Sequence, residues 1–145
     1  MTIYPDAREV ARRWFEEVWN ARRAESIDEL MAAEACGHVE GGEVRGPDGF
    51  RQMRSVFLNA LPDVRIEIED IVAEGNRAAV RWRAVGTHTG DGFGIPPTRR
   101  RIDIRGTTWV VVQDGKLIEG WDTWNLNGLL ASLQSQTETP ERKLF

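Results

Sequence analysis

Reactive side chains are scarce in this sequence. One cysteine in 145 residues, Cys36, allows no internal disulfide, and no Cys-x-x-Cys pair exists for zinc or thiol redox work. Histidine is nearly as rare. His38 and His88 are the only two and lie far apart, so no His-Glu-x-x-His or similar local metal signature is present. No metal and no cofactor is expected. Basic charge is also short: 19 Lys and Arg against 23 Asp and Glu give a net charge of -4, the wrong sign for a non-specific nucleic-acid binder. No run approaches the roughly 20 apolar residues that span a bilayer. The start, Met1-Thr-Ile-Tyr-Pro-Asp6, lacks the basic and then apolar regions of a signal peptide. A cytoplasmic domain is expected, with neither nucleic acid nor membrane as partner.

What is present is ordinary globular composition, 41% hydrophobic and 29% charged, and one unusual set of aromatics. Six Trp stand beside five Phe and a single Tyr. The length suits one domain able to bury roughly two-thirds of its unfolded surface, placed at residues 1–133 and followed by a polar tail at 134–145.

Helical spacing comes first along the chain. Residues 6–23 carry Val10, Trp14, Val18 and Ala11, Phe15, Trp19 on one side, with Asp6 as N-cap and Glu9 three residues on. A short second helix is expected through residues 28–31, capped by Ser26. The Gly-rich passage 37–46 reads as too polar for core. Pro47 opens a third helix that Pro62-Asp63 stops. From residue 64 the period becomes two, and strands are expected over 64–72, 77–89, about 99–113 and 116–125. Gly75-Asn76 and Asp114-Gly115 are hairpin turns, and a Gly- and Pro-rich loop covers residues 90–98. A last short helix follows near 126–133. Helices and then an antiparallel meander of four strands define an α+β fold, with helices packed on one face of a sheet.

Strand parity converts this reading into a list of inward residues. Ile118, Gly120, Asp122 and Trp124 share one face of the last strand; Leu117, Glu119, Trp121 and Thr123 share the other. Asp122 thus falls on the apolar face between Gly120 and Trp124, where apolar surroundings raise a carboxyl pKa and suit it to acid–base work near neutrality. His88 falls on that face at its strand end. Trp14, Trp19, Trp82 and Trp124, with Phe57 and Val110, are expected to line a cavity for a small apolar or polycyclic ligand. Trp109 and Trp121 point outward among charged residues, which favours a homodimer through the outer sheet face.

Several motifs in order resemble the SnoaL-like polyketide cyclase, or ester cyclase, family. They are Gly46-Pro-Asp-Gly-Phe50, Pro62-Asp63, Gly86-Thr-His-Thr-Gly90, Gly94-Ile-Pro-Pro-Thr98, Asp114-Gly-Lys-Leu-Ile-Glu119 and Trp121-Asp122, and the likeness runs from about residue 8 to 133. It implies the nuclear-transport-factor-2-like fold, a cone-shaped barrel of N-terminal helices on a curved, mostly antiparallel sheet that encloses a pocket. It also implies Asp122 as general acid/base, His88 as its partner and His38 as a ligand-binding residue, without metal or organic cofactor. The chemistry implied is proton transfer at a carbonyl-bearing substrate leading to aldol-type cyclisation, of the lyase or isomerase kind. Gly120 stands where many members carry His, Arg99 where Gly usually follows Pro-Pro-Thr, and Asn125 where Asp is common. Two other readings stay open: a non-catalytic small-molecule-binding protein of the same fold, and a cofactor-free hydrolase such as an epoxide hydrolase. The last needs Asp-Arg-Asp around a water; Asp70 shares the inward parity of Asp122, but the strand arginines point outward.

Overall fold

In the computed structural model, which describes residues 3–135, Asp6 caps the first helix as its position predicts. Its carboxylate accepts the Glu9 backbone N–H at 2.9 Å. Helix α1 (Ala7–Arg13) then widens into a π-helical stretch, Trp14–Asn20. The wider coil changes which residues share a side: Trp14 and Trp19, five apart, both meet Phe50, at ring separations of 4.6 and 5.8 Å. Helix α2 is Glu25–Leu30, so Ser26 lies inside it rather than capping it; its buried hydroxyl instead donates to Glu17 at 2.6 Å. Pro47 sits in the first turn of α3 (Gly46–Ala60), where its missing N–H costs nothing.

The sheet has six strands, not the four expected. They are β1 (Met31–Val39), β2 (Gly42–Arg45), β3 (Arg65–Glu74), β4 (Arg77–Thr87), β5 (Arg101–Gln113) and β6 (Lys116–Thr123), followed by α4 (Leu126–Gln134). The order across the sheet is β2-β1-β6-β5-β4-β3, with β1 parallel to β6 and every other pair antiparallel. The sheet stays open, ending at β2 and β3. The passage around residues 37–46 is a hairpin, turned at Glu40-Gly41, with positive φ at Gly41. It is polar because β2 is an edge strand with only one covered face. The parallel β1–β6 partnership joins segments some 80 residues apart, and no local periodicity encodes it.

Two β-bulges correct the parity argument. In β6 the register against β5 shifts between Val111 and Val112, so Leu117 turns inward and is buried while Glu119 keeps its outward side. In β3 the shift between Ile68 and Asp70 turns Asp70 to the outer face, directly across from Arg81, and leaves Ile71 packing on the core. Helix α1, the π-helical stretch and α3 cover the inner face; charged residues and two tryptophans occupy the outer one. No described helix is long and apolar enough to cross a membrane. The tail expected at 134–145 lies, from residue 136 on, outside the described residues.

Candidate active site

Between the helices and the sheet lies a cavity of about 150 Å³, joined through shared walls to a smaller lobe of about 60 Å³. Trp14, Trp19, Phe57, Trp82 and Trp124 all line the larger space, as strand and helix parity predict, and Val110 lines the lobe. Asp122 and Thr108 belong to both walls and mark the junction.

Asp122 projects from β6 beside Thr108 of β5, its registered neighbour. The Thr108 hydroxyl donates to Asp122 Oδ1 at 2.6 Å. Trp82 Nε1–H in turn donates to Thr108 Oγ1 at 2.9 Å, which fixes the hydroxyl proton toward the carboxyl group. This chain engages Oδ1 and leaves Oδ2 without a hydrogen bond among the described residues, on a side chain that lines the cavity. Burial beneath the aromatic walls pushes the Asp122 carboxyl above its usual range; the Thr108 hydrogen bond opposes this, and the Glu40 carboxylate, also on the cavity wall, adds to the upward shift. Among the described residues no Arg or Lys forms an ion pair with Asp122. A buried carboxyl without a cation is held largely protonated until the pH exceeds the ordinary carboxylate range.

Space for the Trp82 ring depends on Gly106, its registered partner on β5. A methyl group at Gly106 would stand 2.4 Å from the Trp82 ring. Gly120, on the inner face beside Asp122, opposes Gly37 of β1, and a Cβ there would meet nothing closer than 3.5 Å. The two glycines hollow out the lobe, and the space beside Gly120 would accept a Cβ.

His88 is elsewhere. It lies just beyond β4, is 0% exposed, and does not line the cavity. Its Nδ1 accepts the Thr98 backbone N–H at 3.2 Å, and burial lowers its pKa, so the ring is neutral with its proton on Nε2. Together with two backbone hydrogen bonds to Arg99 and Arg100, it pins the loop at residues 88–100. Its ring stacks on Phe93 at 5.9 Å, and Phe93 meets Phe57, a cavity wall, at 5.4 Å. His88 therefore supports the wall and does not reach Asp122 as a catalytic partner.

His38 borders the smaller lobe, but its ring lies against the outer face. It registers with Trp121 and its ring stacks on that outward tryptophan at 5.2 Å. Arg99 is exposed and does not line the cavity; its φ of 61° explains why Gly is usual there. Asn125 caps α4, its side chain accepting the Gly128 N–H at 2.9 Å, a task Asp performs equally well. Asp70, turned outward by the bulge, does not join Asp122, so an Asp-Arg-Asp group is not assembled among the described residues.

Two contributors were missed in the sequence. Thr108 had the inward parity but nothing singled it out, because the bulge in β6 is what brings it level with Asp122. Glu40 sits in the Gly-rich passage that reads as too polar for core. The fold and its interior carboxyl define the class: a nuclear-transport-factor-2-like α+β domain with a mostly apolar cavity.

Comparison with known proteins places the chain within that class. It belongs to the SnoaL-like polyketide cyclase family, whose profile matches residues 9–133. Among solved structures it is similar to AclR of Streptomyces galilaeus, a proposed hydroxylase, at 28% identity over 92% of this chain and 85% of the other, with a TM-score of 0.77. It is also similar to IdmH of Streptomyces antibioticus, a proposed polyketide cyclase, at 27% identity over 88% and 97%, TM-score 0.75. A proposed SnoaL-like polyketide cyclase from Jannaschia sp. CCS1 shares the fold at TM-score 0.82, over 94% of this chain and all of the other, with 20% identity. No curated protein matches significantly.

Proposed function

We propose that the protein is an acid–base enzyme of the cyclase type, with Asp122 shuttling a proton on an apolar, carbonyl-bearing substrate. The observation that carries this reading is the Asp122 carboxyl, held in an apolar cavity by Thr108 and Trp82 with its second oxygen open and no cation upon it. As carboxylate it takes a proton from the carbon next to the carbonyl; as acid it returns one to the oxygen that gains charge, so one group serves both steps of an aldol-type ring closure. The largely apolar wall strengthens its interaction with the developing enolate. A cavity of about 150 Å³ favours a compact substrate, and a polycyclic one requires the lobe at Gly120 as well.

The ionisation of Asp122 is directly testable. Carbon-13 chemical shifts of the Asp122 carboxyl, followed against pH, are expected to titrate above the ordinary Asp value of about 3.9. A midpoint at or below that value removes the basis of the proposal.

Gly120 favours a second reading, a binding protein of the same fold, because it withholds a polar partner from Asp122. Turnover separates the two. We further propose a homodimer through the outer face, where Trp109 is 45% and Trp121 37% exposed and the two are registered neighbours, with Val72 exposed in the same row. Such a patch is unusual on a monomer. Analytical ultracentrifugation should find dimers that Trp109→Arg converts to monomers; a monomeric parent chain overturns the assignment.

A further inference from the structure

The outer face carries a second cluster of reactive side chains, on residues of which Cys36, His38 and Glu119 also border the lobe that Asp122 lines. Cys36 and His38 are two apart on β1 and so share that face. Glu43 registers with His38 from β2, and Glu119 registers with Cys36 from β6. Three strands thus deliver four donors to one place. His38 Nε2 lies 2.8 Å from Glu119 Oε2 and 3.9 Å from Cys36 Sγ, and His38 Nδ1 lies 3.4 Å from Glu43 Oε2. One donor atom from each of Cys36, His38 and Glu43 falls within 4.8 Å of the others.

We propose that Cys36, His38 and Glu43 form a site for a late first-row divalent cation of the zinc type, with Glu119 orienting the imidazole. An ion-pair network alone accounts for the two carboxylates around His38 but not for the thiol on the same side. A thiolate, an imidazole and a carboxylate together match zinc, whereas magnesium and calcium take oxygen donors. Glu119 accepts the Nε2–H, which leaves Nδ1, on the Glu43 side, to meet the ion; this is the carboxylate–histidine–metal arrangement that fixes a ligating ring. Donors around a tetrahedral zinc stand about 3.3–3.7 Å apart by the usual bond lengths; Cys36 Sγ, which lies 3.9 Å from Nε2, has to turn toward the Nδ1 side to complete the set with Glu43. Cys36 releases its thiol proton to solvent on binding, His38 binds as neutral imidazole, and water completes the coordination. Trp121, stacked on His38, covers one side of the ring. Arg45 donates to the other Glu43 oxygen at 3.1 Å.

The sequence could not announce this site. Cys36 and His38 are too close to make a conventional pair of zinc ligands by themselves, and the remaining donors arrive through strand register. The site is independent of the Asp122 reading.

Cobalt(II) titration of the untagged full chain tests it. A thiolate-to-cobalt charge-transfer absorption together with tetrahedral ligand-field bands is expected, saturating at one ion per chain and displaced by zinc. Cys36→Ser should abolish the charge-transfer band, His38→Ala should weaken binding at least tenfold, and Glu119→Gln should weaken it about 10–100-fold. Far-ultraviolet circular dichroism checks that each variant is folded. Absence of the charge-transfer band in the parent chain, a band that survives Cys36→Ser, undiminished affinity in His38→Ala, or one ion per two chains each overturns the proposal.

Discussion

Asp122→Asn is expected to lower turnover by about 10²–10⁴-fold, the usual contribution of one positioned acid–base group. The same variant should be more stable than the parent at neutral pH. Asn keeps the oxygen that accepts the Thr108 hydroxyl but carries no charge to bury. Burial raises the folded-state pKa of Asp122 above its unfolded value. The native protein therefore holds a proton that the unfolded chain has lost, and native stability falls as pH rises from the ordinary Asp value of about 3.9 through the raised one. Above that window the full penalty of a buried carboxylate acts on the parent and is absent from the variant. Below it both side chains are neutral and the difference disappears. Urea unfolding across pH measures the divergence, and a steady-state assay measures the loss of turnover. Full activity in the variant, or equal stability at pH 7, rules out Asp122 as the buried proton shuttle. A gain in stability with loss of activity is the usual pattern where a functional group is held in an unfavourable setting.

The second large effect is expected at Gly90, far from the carboxyl group. The Gly90 backbone donates to the Ala60 carbonyl at 3.1 Å and lies so close to α3 that a Cβ would stand 1.7 Å from the Asn59 carbonyl oxygen. Backbone blocks that methyl group, so Gly90→Ala must lift the loop at residues 88–100 off the helix. Lifting it draws Phe93 away from both His88 and Phe57. A cost of about 3 kcal/mol, the upper part of the range for overpacking, is expected in urea unfolding. Ligand binding should weaken with it, since Phe57 lines the cavity. An unchanged unfolding midpoint would show that the loop does not rest on α3 as described.

The cavity was legible in the sequence because period and composition report which face is apolar. Trp14, Trp19, Phe57, Trp82 and Trp124 were placed by spacing alone, and Asp122 by its position between Gly120 and Trp124. Neither histidine ring stands beside Asp122, for different reasons. His88 has the inward parity, but its ring is taken up by the loop it anchors, and loop path is not encoded in strand alternation. His38 is in a segment whose strand is stabilised by β6, distant in sequence, so no local pattern revealed which face it occupied. Asp70 and Leu117 were misplaced by single bulge residues, each of which reverses the parity of one side of its strand.

The scarcity of cysteine and histidine determined by itself that no local sequence signature holds a metal, and the hydrophobic periods determined an α+β domain with an aromatic interior. Tertiary structure decided the rest. It made Thr108 and Trp82 the partners of Asp122, moved His88 to a supporting role, and gathered Cys36, His38 and Glu43 on the opposite face. The physical reason is range. Amphipathic period and turn chemistry act within a few residues, whereas strand register, bulges and the parallel β1–β6 pairing are set by packing between distant segments, and those choose which donors meet.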